Sequence, residues 1–296
     1  MAILCIIYRR EYGGDIMTMN INWFPGHMKK TKEIIINNLK LVDVVLEIID
    51  SRIPISSRNP MVDEIVADKP RMIIMNKSDL SDPEENKKWV KKFREEGIPA
   101  LLMNSKENVP VDKIYKEART LLKDKFEKNE KKNIDNPMIR MMIVGVPNSG
   151  KSTFINKVSK KKGAKVGNRP GITQTKQWIK TGSNIQLLDT PGILWPKFEE
   201  KIGLHLSFTN AIKDEVLNIE DLTLKFLEEM KENNPEALVE RYGVDPALPA
   251  LEIYEAIAKK RGAIISGGDF DYTRTANIIL NDFRSGKLGK ITLEKA

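Results

Sequence analysis

The sequence predicts an α/β fold, a doubly wound and mostly parallel sheet with helices on both faces, followed by an all-helical C-terminal domain. Short apolar runs alternate with charged amphipathic segments between residues 29 and 190, the pattern of strands joined by crossover helices. A glycine-rich phosphate-binding sequence sits between one such strand and a helix. Beyond Pro196 strand character stops and only helical periodicity continues.

Each element follows from its own residues. Residues 29–41 place Ile34, Ile35, Ile36, Leu39 and Leu41 among Lys, Glu and Asn, which reads as a helix. The β-branched run 42–50 is short and apolar enough for a buried parallel strand. Residues 61–67 read as helix, 71–75 as a second buried strand, 84–96 as a charged amphipathic helix, 99–103 as a third strand and 111–126 as another helix. The charge-rich stretch 123–136 reads as a solvated helix end and linker. Residues 139–144 form a strand, 152–159 open a helix, and 177–181 and 185–188 are strands. Helices follow at 217–231, 235–242, 251–261 and 272–285, which places the domain boundary near Leu204.

Composition narrows the classes open to the chain. Its 296 residues are 41% hydrophobic and 30% charged, enough apolar material for two cored domains and against wholesale disorder. The longest apolar run, 44–49, is stopped by Asp50 and Arg52, far short of the roughly 18–20 residues that cross a bilayer. A single cysteine, Cys5, excludes an internal disulfide, and His27 and His205 alone give no zinc spacing, so a cytoplasmic home is expected. The net charge of +8 suggests a polyanionic partner. Residues 205–296 hold 12 basic and 16 acidic side chains, so residues 1–204 carry the whole excess, +12.

The N-terminus reads as dispensable. Arg9–Arg10 follows the apolar stretch 2–8 instead of preceding it, and no small-residue cleavage site appears, which argues against a signal peptide. Gly13–Gly14 is encodable as GGAGGT, a ribosome-binding sequence just before the codon for Met17. Residues 1–18 are therefore expected to be a translated leader, with the native start at Met17 or Met19.

The strongest local signal is Gly145-Val-Pro-Asn-Ser-Gly-Lys-Ser152, a P-loop in the strand-to-helix context the motif requires. Its backbone N–H groups approach phosphates, Lys151 places a cation on the β- and γ-phosphates, and Ser152 offers a hydroxyl to Mg²⁺. Asp189-Thr-Pro-Gly192 follows an apolar strand; an acid there faces the ligand crevice and holds Mg²⁺ through water, while the Gly192 N–H senses a γ-phosphate. Asn76-Lys-Ser-Asp79 also ends a strand. The Asp79 carboxylate accepts from the guanine N1–H and exocyclic amine, which adenine cannot reproduce. Asn76 contacts the other edge of the base or braces the P-loop, and the Lys77 stem lies over the ring. Asn104-Ser-Lys106, through Asn104, Ser105 and Lys106, adds a backbone contact to the base oxygen. The combination favours GTP over ATP, and a metabolic ATPase remains the reading that Asp79 argues against.

These elements resemble the five signature motifs of the TRAFAC GTPases in a rotated order, since the guanine-reading motifs at Asn76 and Asn104 precede the P-loop. The fold class expected is thus α/β, a circularly permuted P-loop GTPase domain over residues 19–204 followed by an all-α domain over 205–296. Permutation leaves the sheet intact because termini are surface features that can be relocated. It also makes the segment after Gly192, the usual switch II, lead straight into the C-terminal helices.

The resemblance narrows at Asn22-Trp-Phe-Pro-Gly-His-Met28, Asp50-Ser-Arg-Ile-Pro54, Ser57-Arg-Asn-Pro60 and Asp282-Phe-Arg-Ser-Gly-Lys-Leu-Gly289, which are similar to the ribosome biogenesis GTPase A (YlqF-type) family over nearly the whole chain from about Met19. That resemblance implies GTP and GDP as ligands, held by Asn148, Ser149, Gly150, Lys151, Ser152 and Thr153 of the P-loop together with the guanine-reading residues and Gly192. It implies Mg²⁺ at Ser152, Thr173 and Asp189, with Thr173 of Gly171-Ile-Thr-Gln-Thr175 as the switch I threonine. Asn148 matches the K⁺ ligand of potassium-stimulated relatives, with a plain polar contact in the loop as the alternative. It implies late assembly of the large ribosomal subunit, contacts to rRNA and ribosomal proteins, no membrane, and a monomer when off the ribosome. A GTP-responsive RNA-binding factor with incidental hydrolysis is the alternative function.

Catalysis is where the sequence departs from Ras-type enzymes. Ile193 and Leu194 follow Gly192, so the water-orienting glutamine is absent. The resemblance offers His27, recruited when the ribosome binds, and packing against the Pro25–Gly26 turn is the plainer role for that side chain. Lys259, Lys260, Arg261, Arg274, Arg284, Lys287 and Lys290 are the rRNA contacts to weigh against solvated helix faces, and Tyr272 and Phe283 read as core more than as base-stacking rings.

Overall fold

The computed structural model describes residues 25–66, 69–104, 106–107, 109–133, 137–159, 178–181, 184–195 and 197–296, with side chains from residue 32 onward. Residues 1–18, expected to be a leader, and Ser105, Thr173 and Gln177 lie outside the described residues. The chain forms two compact units, one holding residues 23–196 together with 294–296, the other holding residues 197–293. The division falls at Pro196, upstream of the boundary expected near Leu204, because that position lies inside a continuous helix, Glu200–Phe208.

In the first unit the elements run α1 (Pro25–Leu39), β1 (Val44–Asp50), α2 (Pro60–Val66), β2 (Arg71–Asn76), α3 (Pro83–Glu95), β3 (Ala100–Leu102), α4 (Val111–Leu121), α5 (Lys123–Glu130), β4 (Ile139–Val144), α6 (Lys151–Val158), β5 (Trp178–Lys180) and β6 (Ile185–Leu188). They build one six-stranded sheet in the order β3-β2-β1-β4-β6-β5, parallel except for the edge strand β5. The chain steps outward from β1 through β2 to β3 on one side, while on the other it runs from β4 to the edge strand β5 and returns to β6 beside β4. The order therefore reverses between β1 and β4, which pair from Val44↔Met141 to Glu47↔Val144. Loops leaving the carboxyl ends of strands on the two sides of such a reversal splay apart and open a crevice.

Burial follows the period-two alternation of the strands. Leu46, Ile48, Ile74, Met141 and Ile143 face one layer with Ile114 and Ala118 of α4, Phe126 of α5 and Phe154 and Ile155 of α6. Val45, Met142 and Val144 face the other with Ile35, Val62, Val66 and Ile193, and Ile49, Ile73 and Met75 pack on Trp89 and Phe93 of α3. The single helix expected over 111–126 divides at Leu122, whose φ of −106° leaves the helical range. The turn brings Phe126 edge-on to Tyr115 at 6.3 Å, so part of the expected linker is a helix that closes the core.

The second unit is helical: α7 (Glu200–Phe208), a 3₁₀ turn (Asp214–Val216), α8 (Ile219–Asn233), α9 (Pro235–Tyr242), α10 (Ala250–Lys260) and α11 (Tyr272–Arg284). Helix α8 packs on the four other α-helices, with Phe226 at 5.1 Å from Phe208 and 5.0 Å from Phe283. Several cations expected to meet RNA are committed inside this unit. Arg284 donates to the Ser207 and Phe208 carbonyls at the end of α7 and pairs with Asp214. Lys260 donates to the Tyr242 and Gly243 carbonyls, and Arg261 lies over the Tyr242 ring. Phe283 is core and Tyr272 packs edge-on to Tyr254, as their helical spacing suggested.

Candidate functional site

The described motif residues of the expected nucleotide site lie at strands' carboxyl ends, in the loops that follow them or, for Lys151, Ser152 and Thr153, in the first turn of the helix after the P-loop. The P-loop follows β4, Asp189 follows β6, Asn76 ends β2 and Asn104 follows β3. The loop turns tightly through two left-handed residues, Asn148 (φ 56°) and Gly150 (φ 99°), before α6 begins at Lys151. A side chain at Gly150 has no room: a methyl group there would lie 2.1 Å from Asn76 Nδ2. That closeness reflects a bond, since Asn76 Nδ2 donates to the Ser149 carbonyl at 2.8 Å. This bond is a brace on the P-loop, the second of the two roles open to Asn76 in the sequence.

Lys151 is almost fully buried, and its ammonium donates to the Gly145 and Val146 carbonyls at 2.9 and 2.7 Å. Burial pushes its pKa down to about 8, against the pull of Asp189. Asp189 is itself raised by burial, with Lys151 opposing. The Asp189 loop closes over the P-loop: the Ile193 N–H donates to the Gly145 carbonyl at 3.2 Å, and a methyl group on Gly192 would meet Pro147 Cα at 2.9 Å and Lys151 Nζ at 3.1 Å. Ser152 and Thr153 remain exposed at the start of α6, while the Ser149 hydroxyl is buried without a hydrogen-bond partner among the described residues.

On the guanine-reading side, Lys77 has a left-handed backbone (φ 60°), and its ammonium bonds to Asp50 Oδ2 at 2.9 Å. Burial lowers the Lys77 pKa while Asp50 opposes it. Burial alone would raise the Asp50 carboxyl, but the Arg52 guanidinium and the Lys77 ammonium hold it well below the usual carboxylate range. Asp79 is half-buried just beyond. Asn104 folds back to accept the Lys106 N–H on its own side chain at 3.0 Å, which shapes the neighbouring loop. His27 falls in the first turn of α1, with its side chain outside those described.

The arrangement fits a magnesium nucleotide. The cradle is lined by backbone with no space for Cβ atoms, and one cation points along it. No group of three His, Cys, Asp or Glu side chains able to hold a metal occurs among the described residues. Mg²⁺ keeps water and phosphate oxygens and takes only one or two protein ligands, so Ser152 and Asp189 are a sufficient set. In the sequence Asp50, Arg52 and Asn59 carry no task beyond the family signatures they belong to; two charges closing an apolar strand are the signal for the first two.

Comparisons with known proteins agree with this geometry. A family model described as 50S ribosome-binding GTPase matches residues 140–246. The chain is 47% identical over 279 residues to a Bacillus cereus protein named ribosome biogenesis GTPase A, covering 93% of this chain and 94% of that one. A Bacillus pumilus protein of the same name is 46% identical, covering 94% and 99%. Among solved structures, GNP-bound YlqF from Thermotoga maritima superposes with a TM-score of 0.63 at 28% identity, covering 90% of this chain and 98% of that one.

Proposed function

The chain belongs to the ribosome biogenesis GTPase A family, and from that premise we propose that this GTP-hydrolysing enzyme acts in late assembly of the large ribosomal subunit, where the subunit stimulates hydrolysis and hydrolysis controls binding and release. The observation that carries the reading is the convergence of Lys151, Asp189, Gly192 and Asn76 on one P-loop at the sheet's reversal point. It is joined to near-full-length identity with relatives named for ribosome biogenesis.

In this mechanism Lys151 exchanges its two loop carbonyls for β- and γ-phosphate oxygens, and Asp79 selects guanine over adenine. Ser152, Thr173 and Asp189 would hold Mg²⁺, which would neutralise charge on those phosphates. Asn148 would be the loop ligand for K⁺, and Thr173 and the Gly192 N–H would meet the γ-phosphate. Ile193 and Leu194 are buried, so neither orients a water, and His27 takes that task on the ribosome. Lys259, Lys287 and Lys290 are exposed on the helical unit for rRNA phosphates.

The test is nucleotide-dependent co-sedimentation with large-subunit precursors, paired with a GTPase assay. The expected result is retention in the GTP state, release on hydrolysis, and turnover stimulated by ~10³–10⁵. Absence of stimulation by both mature subunits and precursors overturns it.

A further inference from the structure

We infer that Asp50, held by Arg52, is a positioning residue for nucleotide binding: it fixes Lys77 so that the lysine stem forms a ready-made platform for the face of the base. The inference rests on the reading of Asn76–Asp79 as the guanine-recognition loop.

Asp50 ends β1 and sits in register with Asn76, the last residue of β2. Both carboxylate oxygens are engaged by donors. Oδ1 accepts from the Arg52 backbone N–H at 3.1 Å and Nε at 2.9 Å, and Oδ2 accepts from Arg52 Nη2 at 2.7 Å and Lys77 Nζ at 2.9 Å. The backbone is tied as well, with the Asp50 N–H donating to Ser57 Oγ at 3.0 Å and the Ser51 N–H to the Asn76 carbonyl at 2.9 Å. A guanidinium side chain 1% exposed beside a carboxylate 3% exposed is a fixed ionic pair, not a surface one. The second oxygen's remaining lone pair is aimed at the one lysine of the recognition loop.

The consequence is entropic. A lysine stem has four rotatable bonds, and ordering it on ligand binding costs freedom that a pre-bonded stem has already lost. Because the stem offers its apolar flank to the ring face, the gain is shared by every guanine nucleotide whatever its phosphates, and it carries no information about the base's edge. Asp79 reads the edge. The two residues therefore separate affinity from selectivity.

The test measures GTP, GDP and ITP dissociation constants for the full-length protein carrying Asp50→Asn, Lys77→Met, both together, and Asp79→Asn, with XTP measured as well for the wild type and Asp79→Asn. Asp50→Asn is expected to weaken all three nucleotides alike, by about tenfold, and to cause no further loss in the Lys77→Met background. If Asp50→Asn fails to fold because Arg52 is left uncompensated, the pair Asp50→Asn with Arg52→Gln replaces it, with the same expectation. Unchanged affinities, or equal losses with and without Lys77, overturn the role. Asp79→Asn tests the underlying reading on its own, since it should shift preference from GTP towards XTP. If it leaves that preference unchanged, the guanine assignment fails. If it shifts preference while Asp50→Asn has no effect, only the positioning role fails.

Discussion

Asn59 Nδ2 donates to the carbonyl of Ile193 at 3.2 Å, while Asn59 Oδ1 accepts the Met61 N–H at 2.9 Å. One buried amide thus caps the start of α2 and holds the residue that follows Gly192. Asn59→Asp keeps the cap but sets a carboxylate against the Ile193 carbonyl, and Asn59→Ala loses both bonds. Each should destabilise the protein by about 1–3 kcal/mol in urea unfolding. Asn59→Asp, which preserves the cap, should in addition change GTPase turnover more than GDP affinity, because the strand-end segment it releases is the one expected to sense the γ-phosphate.

Gly150 is the residue on which the P-loop's shape depends. Its φ of 99° disfavours any L side chain, and a methyl group would displace Asn76 Nδ2 from the Ser149 carbonyl. Gly150→Ala should cost about 1–3 kcal/mol from backbone strain, plus the lost bond, and reduce GTP and GDP binding below detection by equilibrium dialysis. Asn76→Ala, which opens the space but also removes the brace, should restore little of it.

The strands, the P-loop and the recognition loops were legible because each is written locally. Residues 139–144 and 185–188 are apolar runs bounded by turn-forming residues, and the structure places both strands with those bounds. The P-loop needs glycine at a left-handed position, which the sequence displays. What was not legible joins residues far apart in the chain. Glu47 sits inside an apolar strand, buried beside Arg58 at 3.5 Å, and nothing near it in sequence announces that pairing. Helix α7 was missed because its polar residues turn inward: Ser207 bonds back to the Gly203 carbonyl and His205 to Glu229 at 2.9 Å. Asp282 of the C-terminal signature anchors Arg241 and Tyr242 of α9, a packing role that the motif alone left open.

The last three residues rejoin the nucleotide-binding unit. The Glu294 carboxylate accepts the Ile55 and Ser56 N–H groups at 2.5 and 3.0 Å, and the Glu294 carbonyl accepts Trp89 Nε1 at 2.9 Å. Deleting residues 294–296 leaves Trp89 and the 55–56 turn without these partners. A loss of about 1–3 kcal/mol in urea unfolding is expected, with Glu294→Gln losing less because it keeps one acceptor oxygen. A truncated protein as stable as the full chain would show that the tail contributes nothing.

His27 is the residue proposed to replace the missing glutamine. His27→Ala should abolish subunit-stimulated turnover and leave GTP affinity unchanged, because an imidazole that only orients water makes no ground-state contact with the nucleotide. The measurement is single-turnover hydrolysis with and without large subunits. Unchanged stimulation rejects the role.

Lys151 gives the nucleotide affinity a pH dependence whose sign can be worked out. In the free protein its pKa is lowered from 10.5 to about 8, so it is charged below that pH and loses its proton above it. Bound phosphates favour the charged form and raise the pKa again, so binding takes up a proton wherever the free lysine is neutral. GTP and GDP affinities should therefore be flat below about pH 7 and fall above pH 8, by at most tenfold per pH unit. Stability of the nucleotide-free protein moves the other way. Between pH 8 and 10.5 the unfolded lysine binds more proton than the folded one, so this group's contribution to stability rises with pH over that window. Titration calorimetry of GDP binding at pH 7, 8 and 9 in buffers of different ionisation heat reads the proton uptake directly, and Lys151→Arg, which cannot deprotonate in that range, should remove it.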